Sequence, residues 1–204
     1  MTVPARVVLA TKNRKKLDEL HRILEAEGLD VELLGIDAFP DLPDIPETES
    51  SFAGNALLKA REIARITGLP AVADDSGLCV DALNGMPGIF SARWSGRHGD
   101  DDANLDLLLG QLNDVADRRR TAAFHCAAAV AFPDGTERVV ESRLDGTLLR
   151  ERRGSNGFGY DPIFLPLERH VTTAEMTPEE KDAISHRGQA MRQLAPVLRE
   201  LLTT

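Results

Sequence analysis

Val7, Val8, Leu9 and Ala10 form a short continuous apolar run, so residues 6–10 read as a buried strand. After the polar turn Thr11-Lys12-Asn13, Leu17, Leu20, Ile23 and Leu24 recur at the spacing of one helical face until Gly28 stops them. Residues 31–34 make a second strand. Between 37 and 50, Pro40, Pro43, Pro46 and several carboxylates interrupt any period and predict an exposed acidic loop. Ser51 is then a cap for a helix over 52–67 that Gly68 and Pro70 end. Ala71-Val72-Ala73 follows as a strand expected to deliver Asp74-Asp75-Ser76-Gly77 at its C-terminal end, where open α/β sheets bind ligands.

Farther along, Leu105, Leu108, Leu109 and Leu112 share one face of a helix over 101–112. Residues 121–132 and 139–143 flank Pro133-Asp134-Gly135 as a hairpin, with 144–149 extending it. A glycine-rich loop at 154–160 precedes helices over 178–184 and 187–202, the last carrying Met191, Leu194, Val197, Leu198 and Leu201 on one side. Strands alternate with helices, the chain shows no linker or internal repeat, and its 204 residues suit a single α/β domain over 1–204.

Composition narrows the function. Hydrophobic content of 42% with 28% charged residues excludes a disordered chain. No apolar run approaches the ~18 residues of a membrane span, which predicts no membrane partner. The apolar run Val7 to Ala10 near the N-terminus is too short for a signal-peptide core, so the expected location is the cytoplasm. Cys79 and Cys126 fit no metal or redox spacing and read as reduced thiols. A net charge of −9 with 4% aromatic residues argues against nucleic acid as a partner.

Against that acidic background, Thr11, Lys12, Asn13, Arg14, Lys15 and Lys16 join a strand to a helix start, where free backbone N–H groups and the positive dipole end make an anion cradle. Clustered cations there repel one another unless a polyanion joins them. The bland reading is a solvated basic turn. Asp74 and Asp75 offer two hard oxygen ligands side by side, suited to Mg2+ on substrate phosphates, although Asp, Ser and Gly are also ordinary turn formers. By spacing alone, Asn55, Lys59 and Glu62 are the wet face of their helix. The loop at 154–160 fails the dinucleotide fingerprint, and Walker A, HExxH and GxSxG sequences are absent. Three readings stand at this point: an enzyme acting on nucleotides, a nucleotide-binding module without turnover, and an RNA binder using Lys12 to Lys16 with Arg118, Arg119 and Arg120.

Six motifs in order resemble the non-canonical purine nucleoside triphosphate pyrophosphatases, the inosine/xanthosine triphosphatase family. They are Thr11-x-Asn13-x-x-Lys16; Ser51-Phe52-x-x-Asn55-Ala56-x-x-Lys59-Ala60; Ala73-Asp74-Asp75-Ser76-Gly77-Leu78; Pro87-Gly88-Ile89-x-Ser91-Ala92-Arg93; Gly157-Phe158-Gly159-Tyr160-Asp161-Pro162-Ile163-Phe164; and Glu180-Lys181 through Ser185-His186-Arg187-Gly188. One departure is Glu49, where the family commonly has glycine. The resemblance implies an elongated two-lobed α/β fold with a central mixed β-sheet flanked by helices and a nucleotide cleft between the lobes. It also implies a cytoplasmic homodimer and Mg2+-dependent cleavage of ITP, dITP or XTP between the α and β phosphates. A sister activity on pyrimidine or modified nucleotides is the nearest enzymatic alternative.

By the same resemblance, residues 11–16 would hold the triphosphate and Lys59 would add charge. Asp75 would be a metal ligand or water-activating base, with Asp74 and Glu47 supporting the metal. Ser76 would touch the substrate. Phe158, Gly159, Tyr160, Asp161, Lys181, His186 and Arg187 would surround the purine and sugar, where His186, Arg187 and the loop's backbone N–H groups are the donors expected to select a 6-oxo purine.

Overall fold

The computed structural model describes residues 5–28 and 31–203. Strand β1 (Ala5–Leu9) is followed by α1 (Arg14–Ala26), β2 (Val31–Gly35), α2 (Phe52–Thr67), β3 (Ala71–Val80) and the short β4 (Met86–Pro87). Then come α3 (Asp101–Gln111), β5 (Thr121–Ala131), β6 (Glu137–Leu148), β7 (Phe164–Pro166), α4 (Pro178–Ile184) and α5 (His186–Thr203). The strands form a mixed sheet in the order β2-β1-β3-β5-β6-β7, with β4 on β3. β1 pairs in parallel with β2 and with β3, whereas β4 on β3 and β7 on β6 are antiparallel. This is the helix-flanked mixed sheet that the resemblance implies.

Local chemistry sets the helix ends. Asn13 caps α1, Ser51 caps α2 by accepting from Gly54 N–H, and Asp100 caps α3 by accepting from Ala103 N–H. Thr177 and Glu180 form a reciprocal capping box on α4. Gly68 ends α2 in the left-handed region at φ 66°, a conformation that glycine enters without a steric cost. Where 139–143 and 144–149 read as two segments, the structure has one strand, since nothing between them removes a backbone donor or forces a turn.

The chain forms two compact units: Met1–Asp75, Cys126–Ser142 and Arg187–Thr204 in the first, Ser76–His125 and Arg143–His186 in the second. In the first, the period-two alternation of strands builds two cores. Val7, Leu9, Val72, Cys126, Ala128 and Val130 pack with Leu20, Ile23 and Leu24 of α1 and Met191, Leu194 and Leu198 of α5. Val8, Ala71, Ala73, Ala127, Ala129 and Ala131 point the other way, onto Ala56, Ala60, Ile63 and Ala64 of α2. Alanine on both sides lets α2 come close to the sheet.

In the second unit, Leu78, Val80, Leu105, Leu108, Leu112, Phe124, Tyr160, Ile163 and Phe164 form the core. The buried Arg120 donates to the carbonyls of Leu148, Leu112 and Leu149 at 2.9, 2.7 and 2.8 Å, so it closes the end of α3 and is not available to the RNA-binding reading. Both cysteines are free. Among the described residues no helix is long and apolar enough to cross a membrane.

Candidate active site

The expectation that a strand over Ala71-Val72-Ala73 delivers Asp74-Asp75-Ser76-Gly77 at its C-terminal end does not hold: β3 runs through all four to Val80. Apolar Leu78 and Val80 continue the strand, and cations and an amide on neighbouring helices meet the carboxylates, leaving no local bond to favour a turn. Strand alternation then sends Asp74 and Asp75 to opposite faces of the sheet. They are therefore not paired side by side. Asp74 shares the face of Val72 with α1 and α5, and Asp75 shares the face of Ala71 and Ala73 with α2.

On the Asp75 face, Asn55 and Lys59 stand one helical turn apart on α2. Lys59 Nζ lies 3.1 Å from Glu47 Oε1 and 3.4 Å from Asp75 Oδ1, so one ammonium joins both carboxylates. Asn55 donates from Nδ2 to Asp75 Oδ2 at 3.0 Å and accepts the Glu49 N–H on Oδ1 at 3.0 Å. Fully buried, it is not on the wet face that spacing suggested; among the three, Glu62 alone turns outward, to Arg65. Burial pushes the Asp75 carboxyl up, Lys59 offsets part of this, and Glu47 adds to it. Burial would lower the Lys59 ammonium, but Asp75, Asp74 and Glu47 outweigh it and hold it above its ordinary value.

On the Asp74 face, Lys16 Nζ approaches Asp74 Oδ2 at 3.0 Å and Arg187 Nε approaches the same oxygen at 3.2 Å. Arg187 Nη1 also pairs with Glu19, and all but Lys16 are buried. Burial alone would raise the Asp74 carboxyl; the Lys16, Arg187 and Lys59 cations outweigh it and hold it well below the usual carboxylate range. The Arg187 guanidinium that the resemblance assigns to the base thus lies between two carboxylates here.

Around the cradle, Asn13 Oδ1 accepts from the N–H groups of Lys15 and Lys16 at 3.0 and 3.3 Å, and Thr11 Oγ1 accepts from Asn13 N–H at 3.2 Å. Those two helix-start N–H groups, expected to be open for an anion, are used by the cap. Lys12 pairs with Asp44 of the acidic loop, and Arg14 and Lys15 are exposed. A depression of about 420 Å³ beside this turn is lined by Thr11, Lys12 and Arg14 with Ile36, Phe39 and Leu42.

In the second unit, Asp161 organises the glycine loop. Its Oδ2 accepts from Phe158 N–H at 2.8 Å and from Lys181 Nζ at 2.7 Å, and Oδ1 accepts from Thr173 Oγ1 at 2.8 Å. Gly157, at φ 73°, leaves the space this carboxylate needs, since a Cβ there would stand 2.1 Å from Asp161 Oδ2. Lys181 Nζ sits 5.0 Å from the centroid of the Phe158 ring, a cation over an aromatic face.

Gly159 N–H donates to Asp101 Oδ2 at 3.1 Å and Asp161 N–H to Phe158 O at 3.3 Å, so with Phe158 three of the loop N–H groups expected to face a base are taken within the loop and by α3. Tyr160 is a core residue whose hydroxyl donates to Ser91 O at 2.9 Å. His186 is buried and stacked on Phe124 at 4.7 Å, and Ser76 is half-buried in β3.

A match to the Ham1 family extends over residues 7–197. The chain belongs to the Ham1 family. It is 64% identical over 197 residues to a dITP/XTP pyrophosphatase of Streptomyces avermitilis, covering 97% of this chain and 98% of that protein. A solved nucleoside-triphosphatase, dITP/XTP pyrophosphatase, of Mycobacterium abscessus is 57% identical with a TM-score of 0.76, over 95% of this chain and 99% of that one. A HAM1 protein of Coxiella burnetii is 43% identical with a TM-score of 0.86, over 96% and 99%.

Two residues of this Ham1 site escaped the reading by spacing. Asn55, a poor helix former, falls by spacing in one row with Lys59 and Glu62, so no periodic signal separates it from a wet face; it is buried in α2 with partners at both ends of its amide. Glu19 is likewise in register with Lys16 and Ile23 on the inward side of α1.

Proposed function

We propose that this chain hydrolyses non-canonical purine nucleoside triphosphates, ITP, dITP and XTP, to the nucleoside monophosphate and pyrophosphate. What carries the reading is the Glu47 and Asp75 carboxylates held on the single Lys59 ammonium, in a chain that matches dITP/XTP pyrophosphatases over nearly its whole length. A module that only binds nucleotides needs cations; it has no use for a carboxylate pair beside them.

Among the described residues no group of three or more His, Cys, Asp or Glu is placed to hold a metal by itself. Glu47 and Asp75 fit the sparser share that Mg2+ takes from a protein, one or two carboxylates completed by water and substrate phosphates. These two residues would hold Mg2+, which when bound neutralises phosphate charge. Asp75 Oδ1 is the oxygen left to act, as metal ligand or as the base that takes the proton of the attacking water, because Oδ2 is occupied by Asn55. Lys59 and Lys16 meet the charge that grows on the bridging oxygen as the bond breaks, so they stabilise the transition state more than the ground state. Arg187 holds Asp74, and Asp74 holds Lys16. In the second unit, Phe158 with the Lys181 ammonium over its ring is the purine platform, its loop fixed by Asp161.

Incubation with ITP, dITP, XTP, ATP, GTP and TTP, with and without Mg2+, tests this reading. Pyrophosphate from the first three in the presence of Mg2+ supports it; orthophosphate as the sole first product contradicts it.

A further inference from the structure

The acidic loop and the catalytic strand are joined by one side chain. Asn55 is fully buried in the first turns of α2, and both ends of its amide are used. Nδ2 donates to Asp75 Oδ2 at 3.0 Å and Oδ1 accepts the backbone N–H of Glu49 at 3.0 Å. Two residues before Glu49 is Glu47, whose carboxylate meets Asp75 across Lys59. The loop reaches this position because Gly54 has no side chain: a Cβ there would stand 2.7 Å from the Glu49 Cβ. Glu49 is not among the non-glycine residues with positive φ, so its side chain brings no backbone strain.

We propose that Asn55 is a positioning residue, whose amide fixes the rotation of the Asp75 carboxylate and the seat of the Glu47 loop together, so that the pair is set before any ligand arrives. The inference rests on the functional reading above for its effect on turnover. The amide suits this task because it is neutral and offers a donor and an acceptor in one plane. A buried Asp75 oxygen without that donor would lose an acceptor's partner and rotate toward Lys59, and the freed Glu49 N–H would loosen the loop. Preorganisation of this kind acts on turnover rather than on affinity for the triphosphate, whose cationic cradle is elsewhere.

Asn55→Leu, with the same branching and number of side-chain heavy atoms, removes both bonds, and Gly54→Ala crowds the loop, its Cβ meeting Glu49 Cβ at 2.7 Å and the Ser51 cap hydroxyl at 3.1 Å. The first readout is backbone amide exchange in metal-free, nucleotide-free protein, which stands apart from the pyrophosphatase reading. In Asn55→Leu we expect Glu49 to exchange on the order of tenfold faster while the Val72 and Ala73 amides keep their protection. With ITP, kcat falls on the order of 10²-fold and KM changes less than about threefold. Unchanged Glu49 exchange, or faster exchange with a wild-type kcat, overturns the proposal. Should Asn55→Leu not fold, Gly54→Ala decides: faster Glu49 exchange with a lowered kcat supports the proposal, and wild-type values for either overturn it.

Discussion

Replacing Arg187 with methionine removes the guanidinium from a chain of four charges and leaves Asp74 and Glu19, 2% and 3% exposed, without the cation between them. Lys16 still meets Asp74 at 3.0 Å, and Glu19 loses its buried Arg187 partner. Breaking a buried ion pair from one side costs about 3–5 kcal/mol, because the remaining charge stays in a poorly solvating interior. For a chain of this size each kcal/mol moves Tm by ~2–4 °C, so a fall of about 6–20 °C is expected. Glu19→Met added to Arg187→Met should return part of that loss, with a coupling of about 1–3 kcal/mol in a double-mutant cycle.

The pH dependence has a definite sign. Asp74 has a folded pKa well below its ordinary 3.8, so its stabilisation is in full force above that value and is lost as pH falls through the lower folded one. Without Arg187 the folded value rises, so the stability gap to the wild type is widest at neutral pH and narrows below about pH 4. Thermal melts at pH 7 and pH 3.5, beside kcat on ITP and ATP, measure both effects. The geometry predicts lowered turnover on both nucleotides and little change in their ratio. A Tm within 2 °C of wild type together with a fall in the ITP-to-ATP ratio would refute this reasoning and put Arg187 on the base.

Three other perturbations follow from the same geometry. Asp161→Asn keeps the shape of the side chain but leaves the Lys181 ammonium buried without its carboxylate; Phe158 amide exchange should quicken and KM for ITP rise more than kcat falls. Arg120→Met removes donors from three carbonyls, none of them of a site residue, and should cost about 2–4 kcal/mol in denaturant unfolding while kcat/KM stays at the wild-type value. Asn13→Ala uncaps α1 and should cost ~1 kcal/mol by the same measurement.

Much of the fold is legible because local signals agree with tertiary ones. The α2 boundaries follow from a serine cap and a left-handed glycine, and the hairpin follows from Pro133-Asp134-Gly135 between apolar segments. Asp74-Asp75-Ser76-Gly77 makes the strand look finished at Ala73 because turn propensity is a local statistic. The partners that let two carboxylates sit inside a strand, Lys16, Lys59 and Arg187, are 58, 16 and 113 positions away. The same distance hides Tyr160: its place in a glycine-rich motif suggests a ligand, whereas its hydroxyl closes on Ser91, 69 positions earlier. Period-two alternation, once β3 is seen to be continuous, was enough to place Asp74 and Asp75 on different faces. Helical spacing puts Asn55 and Lys59 on one side of α2, but only the burial of Asn55 distinguishes an inward polar row from a wet one.

The most direct test of the central claim is pyrophosphate release from ITP by Asp75→Asn at saturating Mg2+, with ITP binding measured by calorimetry on the same protein. The variant keeps nearly the same shape and all the cations, and loses the carboxylate charge that we propose holds the metal and takes the proton. Release should fall by ~10²-fold or more while the dissociation constant for ITP stays within a few-fold of wild type. Wild-type release from Asp75→Asn would show that the carboxylate pair on Lys59 is scaffolding and that the chemistry takes place elsewhere.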